Sequence, residues 1–264
     1  RGLRTLAITD HESLRGYREA QPTAARYGLE LIPAIELTTA WPGYRGHGGG
    51  PDVDVLGYFL EPESPLLRAG EERFLADLSA RAEEACALLA RQGFALEAAD
   101  VLATNPSYPG YVPLLDTLER RGASRSAALA AVGEVWPQLP PARLGVGEAI
   151  GFIHDAGGVA VLAHPLIVHR QDGEPLAERG LAELVEMGLD GLEVLHYRLS
   201  SAQRRHFALL ARMFELPVSG GSDEHGGPEV FPRLAQEAVT PEMLAALRAR
   251  RPARSVPGAR SGSG

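Results

Sequence analysis

Apolar residues in this chain come in short runs that break off at polar or charged positions. The runs are LRTLAIT before Asp10, LELIPAIEL around Glu36, DVDVLGYF, GGVAVLAH, GLEVLH and LPVSGGSD. Their length and aliphatic content predict short buried strands. Apolar positions at helical spacing predict helices over 13–27, 147–156, 178–187 and 200–214. Ser13 and Ser64 suit helix N-termini, Pro65 a first helical turn, and Gly28 and Gly188 helix ends. Strand and helix alternate, which favours parallel βα units closed into a barrel or wound into a sheet.

The rhythm changes between Ser64 and Leu144, where the pattern is helical with breaks at Gly93, at 105–113 and at Gly122. Residues 64–144 therefore read as a helical insertion, or cap, on an α/β body made of 1–63 and 145–250. Residues 251–264, rich in Gly, Ser, Pro and Arg, lack apolar periodicity and read as a disordered basic tail. The chain opens at Arg1, directly before a strand-like segment, and is read as a fragment whose first strand is missing.

Composition narrows the classes. In 264 residues, 45% are hydrophobic and 23% charged, and no apolar run reaches the roughly 18 residues of a membrane span. The single Cys86 leaves no internal disulfide and no thiolate cluster, which suits a reducing cytoplasm. A net charge of −8 with a pI near 5.5 does not suit a protein that grips duplex nucleic acid over a broad surface. A small anionic substrate remains compatible, because bound metal can supply local positive charge.

The chemistry-bearing residues sit where strands are expected to end, the ligand-binding face of a parallel α/β body. Asp10 and His11, Glu36, His164, His196, and Asp223 with His225 all do so. Imidazoles and carboxylates together suit a hard or borderline cation. Asp223 and His225, two apart, would face one side of an extended backbone, and Gly220, Gly221, Gly226 and Gly227 would permit a close turn. Each residue also has a plainer reading: Asp10 as a helix cap, His11 as a helix-start histidine, His164 as a buried satisfied imidazole, Glu36 as an edge carboxylate. A single metal site accounts for all the strand-end positions at once. His196 divides evenly between substrate contact and packing; His47 reads as a loop residue, and His154, His169 and His206 as structural.

Taken in order, these motifs resemble the PHP family, named for its polymerase and histidinol phosphatase members. ITDHESLRGYREA is similar to the family's Thr-Asp-His segment, AIELT to its strand-end glutamate, DVLGY to its His-x-Leu-Gly-Tyr segment and LAHP to its Ala-His-Pro segment. LSSAQRRHFALLARMFELPVSGGSDEHG is similar to the C-terminal signature, and the likeness spans about residues 3–230. The nearest subgroup is the stand-alone bacterial enzymes that act on nucleotides or short oligonucleotides. The resemblance implies a distorted (β/α)7 barrel, here lacking its first strand, with a helical insertion. It implies two or three divalent ions (Mn, Zn, Fe or Mg) held by His11, Glu36, Asp54, His164, Asp223 and His225, with Glu36 bridging two of them. Asp10 is expected to act at the reaction centre by orienting an imidazole or a metal-bound water, and His196 to serve the substrate phosphate or a proton. The implied reaction is hydrolysis of a phosphate mono- or diester of a small molecule, nucleotide or short oligonucleotide through a metal-bridged hydroxide.

Three departures accompany the likeness. The family's opening His-x-His is absent. Asp54 stands where the family has histidine. NPSYPGYVPLLDTLERRG carries neither the Arg nor the His of the subgroup's insertion in register, which turns attention to Arg120 or Arg121 as substrate contacts. The alternatives are a catalytically degenerate PHP domain that serves structure or a partner, and a hydrolase of a non-phosphate ester or amide on a similar barrel.

Overall fold

The computed structural model describes residues 2–105, 108–225 and 234–252. In chain order the elements are β1 (Thr5–Ile8), α1 (Arg15–Arg26), β2 (Glu30–Ala40), β3 (Tyr44–Arg45), β4 (Asp52–Tyr58), α2 (Pro65–Arg91), α3 (Ala98–Thr104), α4 (Tyr111–Arg120) and α5 (Arg125–Val135). They continue with α6 (Val146–Asp155), β5 (Val159–Leu162), β6 (His169–Arg170), α7 (Glu178–Glu186), β7 (Gly191–His196), α8 (Ser201–Met213), β8 (Val218–Gly221) and α9 (Pro241–Arg248). Six strands form one sheet in the order β1-β2-β4-β5-β7-β8, while β3 and β6 pair separately.

The sheet is mixed rather than wholly parallel, which corrects the expectation of uniform βα units. β4 runs antiparallel to both β2 and β5; the pairs β1·β2, β5·β7 and β7·β8 are parallel. The cause is connection length. Only residues 41–51 separate β2 from β4, too few for a helical crossover, so the chain returns as a hairpin. On the other side of β4, Tyr58 pairs directly with Val159, and residues 59–158, cap included, join two hydrogen-bonded neighbours.

Alternation along the strands divides the core. Ile35, Leu37, Val53, Val55, Ala160, Leu162, Leu192 and Val194 face one way, into a large cluster completed by α1, α6, α7 and α8. Ile32, Ala34, Leu56, Tyr58, Val159, Val161 and Ala163 face the other way. This inner face lines a cleft of about 1170 Å³. The cleft is bordered by residues of both β1 and β8, the two outer strands, so the sheet curls into a partial barrel around it. Gly57 keeps the outer face flush, because a Cβ there would stand 2.9 Å from Ile153 Cγ1.

The cap has its own core of Ala85, Cys86, Leu89, Val101, Leu114, Leu118, Val132, Val135 and neighbours. Burial raises the Cys86 thiol to about 11, which leaves it an inert packing group. The seam with the sheet contains a buried ion pair between Arg81 of α2 and Asp52 of β4. The other carboxylate oxygen of Asp52 accepts the N–H of Ala142 at 2.7 Å, and the Arg81 guanidinium lies over the Trp136 ring at 5.6 Å.

Two expected caps differ. Ser13 Oγ accepts the N–H of Arg15 just ahead of α1, and Ser64 precedes α2 without a side-chain cap. Gly28 and Gly188 follow their helices with φ of 65° and 99°, as helix stops require. Most of the expected tail, 253–264, the glycines 226 and 227 and the side chain of His47 lie outside the described residues. No helix among the described residues is long and apolar enough to cross a membrane.

Arg81→Ala leaves Asp52 buried and unpaired, and is expected to lower unfolding free energy by roughly 3–5 kcal/mol in urea titrations, whereas Arg81→Met with Asp52→Asn recovers most of it. An Arg81→Ala protein as stable as the parent would show that the seam does not depend on this pair.

Candidate metal centre

At one end the inner face of the sheet turns from apolar to ionisable. Glu36 and Asp54 follow Ala34 and Leu56 on the same face of β2 and β4, so strand alternation alone brings them inward. After β1 ends, the chain returns to the edge of β2: Glu36 N–H donates to Asp10 O at 3.1 Å and Glu12 N–H to Glu36 O at 2.9 Å. This bridge sets His11 beside Glu36. One ligand atom each from His11, Glu36 and Asp54 lies within 4.8 Å of the others.

His164 and His196 need more than alternation. Ala163 points inward, so His164 would point outward if the strand simply continued. Instead it takes φ 27° and ψ 61°, a left-handed turn that swings the imidazole in. Its Nε2 lies 3.1 Å from Glu36 Oε1 and 3.6 Å from Asp54 Oδ2. In β7, a bulge between Glu193 and Leu195 shifts the register, so Glu193 and His196, three apart, both reach the inner side. Glu12 and Asp223 also have positive φ, 54° and 47°. Such backbones cost about 1–3 kcal/mol each and tend to gather at functional sites.

Glu36 is the hub. One carboxylate oxygen faces His164 and the other faces His11 Nε2 at 3.9 Å. Burial opposes its ionisation, but His11 and His164 outweigh it and lower its pKa. Burial likewise opposes the charged form of His164, yet the hydrogen bond and charge of Glu36, with Asp54 and Glu193, raise it to about 10. For His11, the carboxylates of Glu36, Glu12 and Asp54 overcome burial and raise the pKa. Burial, reinforced by the Glu36 charge, lifts Asp54 to about 6. The site thus packs more carboxylates than two imidazolium ions balance, the condition in which a divalent cation is favoured. His164 Nδ1 is buried without a hydrogen-bond partner among the described residues, and the donor set of imidazole and carboxylate suits Mg, Mn, Fe or Zn.

The remaining expected residues fall into two places. Asp223 lies 3.4 Å from His196 Nε2 and 3.6 Å from His225 Nδ1; burial notwithstanding, these histidines and His164 hold its carboxyl well below the usual range. The two ends of Asp223-x-His225 approach through a left-handed turn, not through the extended backbone expected, and His225 is exposed. His196 is 1% exposed, and its Nδ1 accepts the N–H of Arg198 at 3.2 Å. Its Nε2 lies 3.4 Å from Asp223 Oδ2 but makes no hydrogen bond among the described residues, so the ring packs beside Asp223. Asp10 also lines the cleft, and its Oδ2 accepts the N–H of Gly16 at 2.8 Å, which caps the start of α1. A Cβ on Gly16 would come within 2.2 Å of that oxygen.

Three neighbours escape the sequence reading. Glu12 is buried beside His11, with Oε1 accepting the N–H of Thr38 at 2.7 Å and Oε2 without a hydrogen bond among the described residues; burial raises it to about 7. Glu193 is buried and accepts the N–H of His164 at 2.7 Å. Tyr108 of the cap stacks on His11, with ring centroids 4.1 Å apart and planes 11° apart. Gly110 makes room for it, since a Cβ there would lie 2.1 Å from Tyr108 Cζ. A carboxylate inside an apolar strand is a usable signal for Glu193, whereas nothing in the sequence marks Tyr108. Arg121 pairs with Asp100 at 2.6 Å, and Arg120 reaches Thr104, a cleft-lining residue, at 3.3 Å. His154, read as structural, bonds Asp190 at 2.7 Å, and His169 Nδ1 meets Ile167 O at 2.9 Å.

A curled mixed sheet with carboxylates and imidazoles gathered at one end defines a metal-dependent hydrolase. Comparison with known proteins narrows this. No family model matches the chain. It is 30% identical to the 3',5'-nucleoside bisphosphate phosphatase of Chromobacterium violaceum over 238 residues, 85% of this chain and 78% of that protein. It is 29% identical to a 5'-3' exoribonuclease of Haemophilus influenzae over 229 residues, 85% and 80% of the two chains. A crystal structure from Bifidobacterium adolescentis, described as that of a metal-dependent phosphoesterase, superposes with a TM-score of 0.78 at 26% identity, over 96% of this chain and 87% of that one. The chain belongs to the same family, the PHP-type phosphoesterases, and is a metal-dependent hydrolase of phosphate esters.

The raised pKa of Glu12 yields a pH prediction for the metal-free protein. Its proton is held more tightly folded than unfolded, so the associated stability is fully present below about pH 4.5 and lost as pH rises through about 7. Glu12→Gln is expected to exceed the parent by roughly 1–3 kcal/mol at pH 8, with little difference at pH 4.5, in denaturant titrations with chelator present. A variant less stable than the parent at pH 8 would contradict this.

Proposed function

We propose that this chain hydrolyses phosphate mono- or diesters of a nucleotide, short oligonucleotide or similar small molecule, with two or three divalent ions held by His11, Glu36, Asp54, His164, Asp223 and His225. The observation that carries the reading is the Glu36 carboxylate, with one oxygen turned to His11 and the other to His164 while Asp54 lies alongside. A carboxylate so placed is suited to bridge two ions. Bound divalent ions would activate water and neutralise phosphoryl charge.

The protein groups divide the remaining work. Asp54 supplies an anionic oxygen where the family has a neutral imidazole, which favours harder ions such as Mn or Mg. His196, buried with Nε2 3.4 Å from Asp223, would help to keep that carboxylate ionised. Asp10 steadies the loop that carries His11 by capping α1. Tyr108 covers one side of His11 and, with Thr104 and Asn105, forms the cap's share of the cleft wall. A nucleotide or oligonucleotide substrate is supported by the names of the two relatives. We read the sheet as six strands of a distorted (β/α)7 barrel, and the buried, unpaired Cys86 as suiting a cytoplasmic setting.

Mass spectrometry is expected to find two or three ions per chain, and phosphate release from a panel of nucleoside bisphosphates, short oligonucleotides and simple phosphoesters is expected to be abolished by chelator and restored by Mn²⁺. His164→Ala should lower kcat/KM by at least about 100-fold together with ion content. A protein that binds no ion and turns over no member of the panel would instead be a degenerate PHP domain.

A further inference from the structure

We infer that Glu193 is a positioning residue, which holds the left-handed turn at His164 by accepting its backbone N–H and thereby aims the imidazole at Glu36. The inference rests on the reading of His164 as a metal ligand given above. It begins with the hydrogen bonds at the end of β5. The N–H of Ala163 still goes to a strand carbonyl, Asp54 O at 3.1 Å. The next N–H, that of His164, goes instead to the side-chain oxygen Glu193 Oε2 at 2.7 Å. A carboxylate therefore takes the place of a ladder carbonyl at the point where the chain leaves the sheet.

The turn needs such a hold. His164 has φ 27° and ψ 61°, a region that a residue with a Cβ rarely enters, and it immediately precedes Pro165, which restricts it further. No glycine or asparagine at the position eases the strain. Without the turn, alternation would send the imidazole to the apolar outer side, away from Glu36.

Glu193 is unusual in its own right. It is 5% exposed in a strand whose other residues, His196 apart, are apolar, and burying a carboxylate is costly unless it is bonded. Its hydrogen bond among the described residues is the one to His164. The bulge beside it in β7 gives the carboxylate its place. Groups that orient metal ligands from behind in this way typically govern metal affinity by about 10–100-fold.

The test compares parent, Glu193→Gln and Glu193→Ala as full chains with two readouts. In metal-free protein, amide hydrogen exchange by NMR should show the His164 N–H protected in the parent and at least about tenfold faster in Glu193→Ala, with Ala163 unchanged. Calorimetric titration with Mn²⁺ should show about 10–100-fold weaker binding in Glu193→Ala. Glutamine keeps an accepting oxygen, so Glu193→Gln should stay close to the parent in both, which a role as charged ligand would not allow. Unchanged His164 exchange in the alanine variant, or loss of protection in the glutamine variant, would overturn the inference. Should alanine prevent folding, the glutamine variant decides alone. If the parent binds no Mn²⁺ yet shows the exchange pattern, the metal-centre reading fails while the hold on His164 stands.

Discussion

Burying a carboxylate is tolerable only when opposite charge or hydrogen-bond donors meet it, and Glu36 meets that requirement from both oxygens at once. His11 and His164 approach it from opposite sides, one brought by the bridge after β1 and the other by the turn after β5. Much of the inner face is arranged around this contact. Asp54 shares the His164 imidazole, Glu12 flanks His11, and Glu193 holds the backbone of His164. Carboxylates outnumber the imidazoles, so the protein alone leaves an excess of negative charge that a divalent cation would relieve.

The elements of the body are legible because burial leaves a plain trace. Each apolar run is a strand, and the helices expected over 147–156, 178–187 and 200–214 agree with α6, α7 and α8 to within a residue or so. Strand direction is not legible from apolar content, since a buried strand reads the same whether its neighbours run parallel or antiparallel. The clue for β4 is the brevity of the segment before it. In the site, Glu36 and Asp54 follow from alternation alone. His164 and His196 sit at positions whose parity is wrong, and only a left-handed residue and a bulge turn them inward, neither of which has a local signature here. Asp10 illustrates the opposite case: the plain reading, a helix cap, is the one its hydrogen bond supports.

Backbone strain and chemistry coincide at three of the six non-glycine positions with positive φ among the described residues. Glu12, His164 and Asp223 are three non-glycine residues with positive φ, and each neighbours or belongs to the candidate ligand set. Regular strands could present only every second side chain to the interior. The irregular residues add donors from positions that regular geometry would waste, at a conformational cost borne by the packed core beneath.

The pairing of Tyr58 with Val159 makes the whole cap, in topological terms, the loop of a β-hairpin. The ends of a hairpin are pinned by the sheet whatever joins them, and lengthening a flexible join adds only about 0.6 kcal/mol of closure entropy per doubling. A cap with a core of its own, as this one has, can therefore be enlarged, trimmed or exchanged while the strand that carries Asp54 and the strand that leads to His164 stay in register. A single metal-binding body could thus acquire new substrate preferences by exchanging a loop, with no change to its ligands.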